Sequence, residues 1–220
     1  MAPYWRYRLA RHLFLAILCW LLVVFFYWLT PPPDFRHRLS MATAYVALIF
    51  LGWTLALGPW NLLRRHANPV SFDFRRDVGI WSGLLALLHT GVGLTVHLRG
   101  RMWMYFIKKL HPLTLQNNPF GLANDIGLVA ALLFLGLLFI SNDRSLRTLG
   151  LRRWKTLQRF TYLALALTFA HGWLFQAVEK RKPGWVAVFL SMAVLTGLIQ
   201  LAGLWKHRLS GRQRSLAERS

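Results

Sequence analysis

Apolar residues gather along the chain into six blocks, at 13–29, 41–60, 78–97, 120–140, 160–178 and 185–205. Each is close to the ~20 residues a helix needs to cross ~30 Å of hydrocarbon. Polar and basic residues, with most of the prolines, fill the stretches between. Three consecutive prolines at 31–33 cannot continue a helix and mark the first boundary. The pattern predicts an all-α polytopic membrane bundle of about six transmembrane helices over 12–205, with an N-terminal tail at 1–11 and a basic C-terminal tail at 206–220. The fourth block is the weakest. It opens with Asn124 and Asp125, so only 126–140 is continuously apolar. It counts as a span because without it the two termini would fall on opposite sides, against the charge pattern.

Of the 220 residues, 55% are hydrophobic and 15% aromatic, with a mean hydropathy of +0.38, a bias spread over nearly the whole length. The formal net charge of +20 invites a nucleic-acid reading. The placement of the 27 basic residues argues against it, since they sit almost wholly in the short connections, where they meet lipid headgroups. The N-terminal tail holds three Lys/Arg, the second loop four, the fourth loop five and the C-terminal tail five, against two, four and three in the first, third and fifth loops. The positive-inside rule then puts both termini in the cytoplasm, in a bacterial inner membrane. The third loop carries Trp103, Met104, Tyr105, Phe106 and Ile107 ahead of Lys108 and Lys109. That composition suits an interfacial anchor, with a cover over an outer-side cofactor as the alternative. Cys19 is the single cysteine, so no disulfide framework or CxxC metal motif exists in this sequence. The basic, then apolar, N-terminus imitates a signal peptide but lacks a small-x-small site, and is expected to stay as the first helix.

Eight histidines are present, and six lie in loops, tails or at block ends, where a solvated or headgroup-facing imidazole is the ordinary expectation. His89 and His171 alone sit well inside apolar blocks, and an ionisable residue there is a functional candidate. His89 is 11 residues into the third block and His171 is 11 into the fifth. The two blocks run in the same direction, so at 1.5 Å per residue both imidazoles lie roughly 16 Å along their helices. A depth-matched pair on neighbouring helices is what axial ligation of haem iron from two sides requires. Small residues flank both positions, including Gly83, Ala86, Gly91, Ala164, Ala170 and Gly172, although such residues are common at membrane helix contacts in general.

Two stretches carry a resemblance: FRRDVGIWSGLLALLH at 74–89, and LGLRRWKTLQRFTYLALALTFAH at 149–171, preceded by SND at 141–143. Together they resemble the ferric reductase-like transmembrane domain family and, within it, the YedZ/MsrQ group. The resemblance implies a haem-b protein that takes electrons from the quinone pool or a cytosolic flavin donor. It further implies a separate redox partner, in the MsrQ group a periplasmic molybdopterin enzyme that repairs methionine sulfoxide. His89 and His171 match the family's ligands; Arg75, Arg76 and Gly79 match its RRxxG entrance; Leu149, Gly150, Trp154, Leu157 and Tyr162 match its LGxxW stretch. Gln158 stands where the MsrQ pattern has His, 13 residues before His171. An amide is a poor iron ligand, so one haem is expected, nearer the outer side.

A basic inner rim of Arg75, Arg76, Arg152, Arg153 and Lys155, beside Trp154, is a candidate site for an FMN phosphate or for docking an acidic donor; plain positive-inside topology is the alternative. No GxGxxG occurs, and 15 residues follow Trp205, so any flavin or nicotinamide domain is expected on another chain. Two competing readings are a haem-free transporter, for which Asp125 is the only acidic candidate within a block, and a nonenzymatic haem-binding assembly or sensory subunit.

Overall fold

The computed structural model describes residues 4–31, 34–63 and 72–217. Arg64, Arg65 and His66 of the second loop, and Pro32 and Pro33, lie outside the described residues. The apolar blocks become six long helices: α1 (Tyr4–Leu29), α2 (Phe35–Leu63), α3 (Phe72–Gly93), α4 (Pro119–Ile140), α6 (Phe160–Val178) and α7 (Pro183–Ala217). A seventh, α5 (Asp143–Gln158), lies between α4 and α6. The protein is thus an all-α polytopic membrane protein.

Four helices, at 5–29, 35–63, 119–140 and 183–209, are long and apolar enough to cross a membrane. The doubted fourth block is among them. Asn118 caps α4 by accepting from the Gly121 backbone N–H at 2.8 Å, and the buried Asn124 side chain bonds back to the Phe120 carbonyl at 2.7 Å, so its polar start is satisfied inside the helix. Of the six expected spans, α3 and α6 are not among these four and fall short of that apolarity. The reason is their content: α3 opens on Asp73, Arg75, Arg76 and Asp77, and α6 carries Thr161, Thr168, His171 and Gln176 within 19 residues. α3 also stops at Gly93, four residues before the expected His97.

α5 was not expected as a helix. Asn142 caps it, accepting from the Ser145 N–H at 2.8 Å, and it breaks at Gly150, whose φ of 71° is easily reached only without a side chain. The third loop folds into two short 3₁₀ turns, at 98–100 and 102–105, and a small antiparallel hairpin, β1 (Ile107–Lys109) with β2 (Thr114–Leu115).

Two groups of helices organise the bundle. α2 packs against α1, α3 and α7, while α4 packs against α6 and α5, with α3 and α4 as the main join. α2 is the most enclosed of the candidate spans; α1 and α7 leave most of their apolar surface outward, as lipid-facing helices must. At the end where α1 begins, carboxylates and guanidiniums interlock. Asp77, fully buried, faces Arg8 at 3.4 Å and Arg11 at 3.0 Å, and Arg76 reaches Asp143 at 2.6 Å. His12 accepts from the Trp81 indole through Nδ1 at 3.2 Å, which leaves its Nε2–H to face Asp77 at 3.4 Å. Burying Arg76 and Asp77 near the start of α3 is possible because each meets an opposite charge.

Candidate functional site

α3 and α6 are held apart by their separate partners, and a cavity of about 190 Å³ opens between the two helix groups. Its walls are largely apolar, with Leu48, Leu51, Ala86 and Phe134 among them. His89 and His171 project into it from opposite sides, their ring centroids 6.1 Å apart and their planes inclined at 72°.

Each ring is fixed from behind by the partner helix of its own group. The Nδ1–H of His89 donates to the Ser40 carbonyl of α2 at 3.0 Å, with the Ser40 hydroxyl 3.3 Å away. The Nδ1–H of His171 donates to the Ala123 carbonyl of α4 at 2.7 Å. A carbonyl only accepts, so both imidazoles carry their proton on Nδ1 and keep the Nε2 lone pair free, the tautomer a metal-ligating histidine needs. A helix carbonyl is usually crowded by the side chain four residues on. Those positions hold Ala44 and Gly127, and a Cβ at Gly127 would come within 2.5 Å of His171 Nδ1. The absent side chain is what admits the ring to the carbonyl.

The spacing fits a metal between the rings. Two metal–nitrogen bonds of about 2 Å, plus roughly 1.1 Å from each ring nitrogen to its centroid, put collinear imidazole centroids about 6 Å apart. No group of three or more His, Cys, Asp or Glu able to hold a metal occurs among the described residues. The two imidazole nitrogens would therefore suit an ion that brings further donors of its own, as iron in a porphyrin does. Gln176 adds a further sign of a missing partner: its Oε1 is buried without a hydrogen bond, and the residue lines the same cavity.

The cavity ends away from the α1 start in a polar lip of His37, His97 and Arg181. Arg181 Nη1 donates to His37 Nε2 at 3.1 Å, and His97 Nε2 meets Glu179 at 3.0 Å. The hydrogen bond from His97 holds the Glu179 carboxyl below its ordinary range, against the opposing effect of burial. The third loop closes over this end. Tyr105, buried at 2% exposure, donates to the Gly93 carbonyl at 2.9 Å and accepts from the His97 backbone N–H at 2.8 Å. Tyr105 and Phe106 line the cavity while Met102 and Trp103 stay exposed, so part of the expected anchor is a cover.

No protein-family model matches the chain. Among curated relatives, the protein-methionine-sulfoxide reductase heme-binding subunit MsrQ of Deinococcus radiodurans is 32% identical over 167 residues, covering 72% of this chain and 71% of the relative. The MsrQ of Xanthomonas euvesicatoria is 32% identical over 190 residues, covering 86% of this chain and 76% of the relative. The chain belongs to the MsrQ family. A third relative, the MsrQ of Xanthomonas axonopodis, is 30% identical over 183 residues.

In this MsrQ-family chain the other sequence-predicted residues do not join the histidines. Arg75 donates to the Thr54 carbonyl at 3.1 Å, and Arg76, its side chain 3% exposed, is committed to Asp143. Trp154 is buried, with its indole N–H on the Ile140 carbonyl at 2.8 Å, whereas Arg153 is exposed. Arg75, Arg76 and Trp154 thus tie α2, α3, α4 and α5 together and present no shared phosphate cradle, so the candidate FMN site finds no support in them. Gln158 donates to the Ser141 hydroxyl at 3.2 Å, as a structural amide. Ser40, Ala123, Gly127, Gln176 and Arg181 were missed by sequence reasoning. Of these only Arg181 left a signal, as one of the basic residues out of step with the positive-inside pattern.

Proposed function

We propose that this chain is a six-span haem-b electron-transfer subunit of the bacterial inner membrane, with both termini in the cytoplasm, in which His89 and His171 would hold one haem. It passes electrons from quinol or a cytosolic flavin donor to a separate partner on the outer face, in a methionine sulfoxide reductase system. One observation carries the reading: two imidazoles 6.1 Å apart, each with Nδ1 committed to a helix carbonyl. Kinship with proteins named as heme-binding subunits of protein-methionine-sulfoxide reductase supports the destination.

Bound there, a haem supplies a one-electron couple inside the bilayer. The chain's part is to hold and tune it. Ser40 and Ala123 fix ring orientation and raise the basicity of the ligating nitrogens, Leu51, Ala86 and Phe134 keep the wall apolar, and Tyr105 closes the outer end. No flavin is assigned to this chain itself, since Arg75 and Arg76 already have partners.

Purified from haem-sufficient cells, the protein is expected to show a Soret band and a sharp reduced α band, with one haem per chain. His89→Ala and His171→Ala should each abolish the six-coordinate spectrum. An unchanged spectrum in either variant, with the protein inserted and intact, would reject the assignment.

A further inference from the structure

The lip of the cavity holds a guanidinium, that of Arg181, with no carboxylate of the described residues in ion-pair contact. At the opposite end of the bundle, Arg8, Arg11 and Arg76 each lie within 3.4 Å of a carboxylate. Arg181 is also partly buried, yet no carboxylate of the described residues lies within ion-pair distance of it. Its side-chain partner is an imidazole nitrogen of His37 at 3.1 Å. Glu179, two residues away, is turned to His97 instead. Burial depresses the Arg181 guanidinium from its ordinary value, with Glu179 and Tyr45 acting the other way. A buried charge without a partner is costly, and a guanidinium has five donors suited to a planar carboxylate.

Beside it lies the unpartnered Gln176 Oε1, and below it the apolar walls around His89 and His171. The ligand this shape fits is flat and apolar over most of its area and carries carboxylates on one edge. We propose that Arg181, assisted by His37, is a carboxylate-binding site for the porphyrin propionates, fixing the propionate edge toward the Tyr105 end of the cavity. The proposal rests on the haem reading and adds to it an orientation and a source of affinity. Charge-assisted hydrogen bonds of this kind correspond to about 10- to 100-fold in binding.

The test compares haem with its dimethyl ester, which keeps the iron and the ring but has no carboxylate charge. Both are titrated into detergent-solubilised, haem-depleted full-length chain, wild type and Arg181→Gln. The wild type is expected to bind haem about 10- to 100-fold more tightly than the ester. Arg181→Gln should bind both with the ester's affinity, keep the bis-imidazole spectrum and show a more negative reduction potential, while Arg181→Lys recovers part of the preference. Equal affinity of the wild type for the two porphyrins overturns the proposal and leaves His89 and His171 as ligands. So does a Gln variant that still discriminates. Should Arg181→Gln fail to insert, the wild-type comparison decides alone. A wild type that takes up neither porphyrin overturns both this site and the haem reading beneath it.

Discussion

Replacing Gly127 by Ala adds one methyl group to α4 at the point where His171 reaches the Ala123 carbonyl. The new Cβ would lie 2.5 Å from Nδ1 and 2.7 Å from Cε1 of the imidazole, where about 3.5 Å is needed. The ring must therefore retreat by about 1 Å, and its 2.7 Å bond to Ala123 cannot survive the movement. Overpacking of this kind costs about 1–3 kcal/mol, and the lost hydrogen bond about 1 kcal/mol more. Together they predict haem binding weakened by about 30-fold or more. Titration of haem into the depleted protein, followed at the Soret band, measures it. Gly136→Ala is the control, on the same helix with nothing within 4 Å of the added Cβ, and it should bind as the wild type does. Matching affinities and spectra for the two variants would refute the idea that Gly127 makes room for a ligating imidazole.

Other expectations are more quickly stated. The 72° between the imidazole planes predicts a strongly anisotropic low-spin ferric EPR signal; a rhombic spectrum typical of parallel rings would contradict the observed ring geometry. Ser40→Ala removes only the hydroxyl 3.3 Å from His89 and keeps the carbonyl at 3.0 Å, so haem affinity should change by less than about fivefold. Gln158→His should leave the pyridine haemochrome ratio at one haem per chain, because the position 13 residues before His89 is Arg76, committed to Asp143. Arg76 lowers the Asp143 carboxyl below its ordinary 3.8 by hydrogen bonding to it. A carboxyl depressed in the folded state contributes stability above its ordinary value and loses it as pH falls toward the folded one. Asp143→Asn should therefore flatten the acid end of a melting-temperature profile below about pH 4, and an unchanged slope there would count against the Arg76 pair.

The facing of His89 and His171 was legible because membrane burial makes an ionisable side chain conspicuous, and because equal offsets along parallel helices translate directly into equal depth. Six long helices were legible for the same reason: lipid tolerates little else. α5 was hidden because it is rich in Arg and broken at Gly150, although Asn142 at its cap was a local signal. The end of α3 was overrun because Leu94 and Val96 prolong the apolar pattern while the backbone turns. The supports of the site left little trace, since Ser40 and Ala123 act through backbone carbonyls and any residue type has one. His37, His97 and Arg181 were assigned to headgroups because sequence shows which residues flank a span, not which of them fold inward.

Several hydroxyls in the long helices look after themselves. Thr43 donates to the Leu39 carbonyl at 2.8 Å, Thr54 to Phe50 at 2.8 Å, Thr90 to Ala86 at 2.9 Å and Thr168 to Ala164 at 2.8 Å. Ser82, which reaches across from α3 to the Ala47 carbonyl of α2 at 3.1 Å, is a contrast. Self-bonded hydroxyls need no neighbour, so these four threonines set no condition on which helix lies beside them. Ser82 is satisfied only once α3 has found α2. Pairing of the two helices is thereby given a register by a bond that involves no prosthetic group.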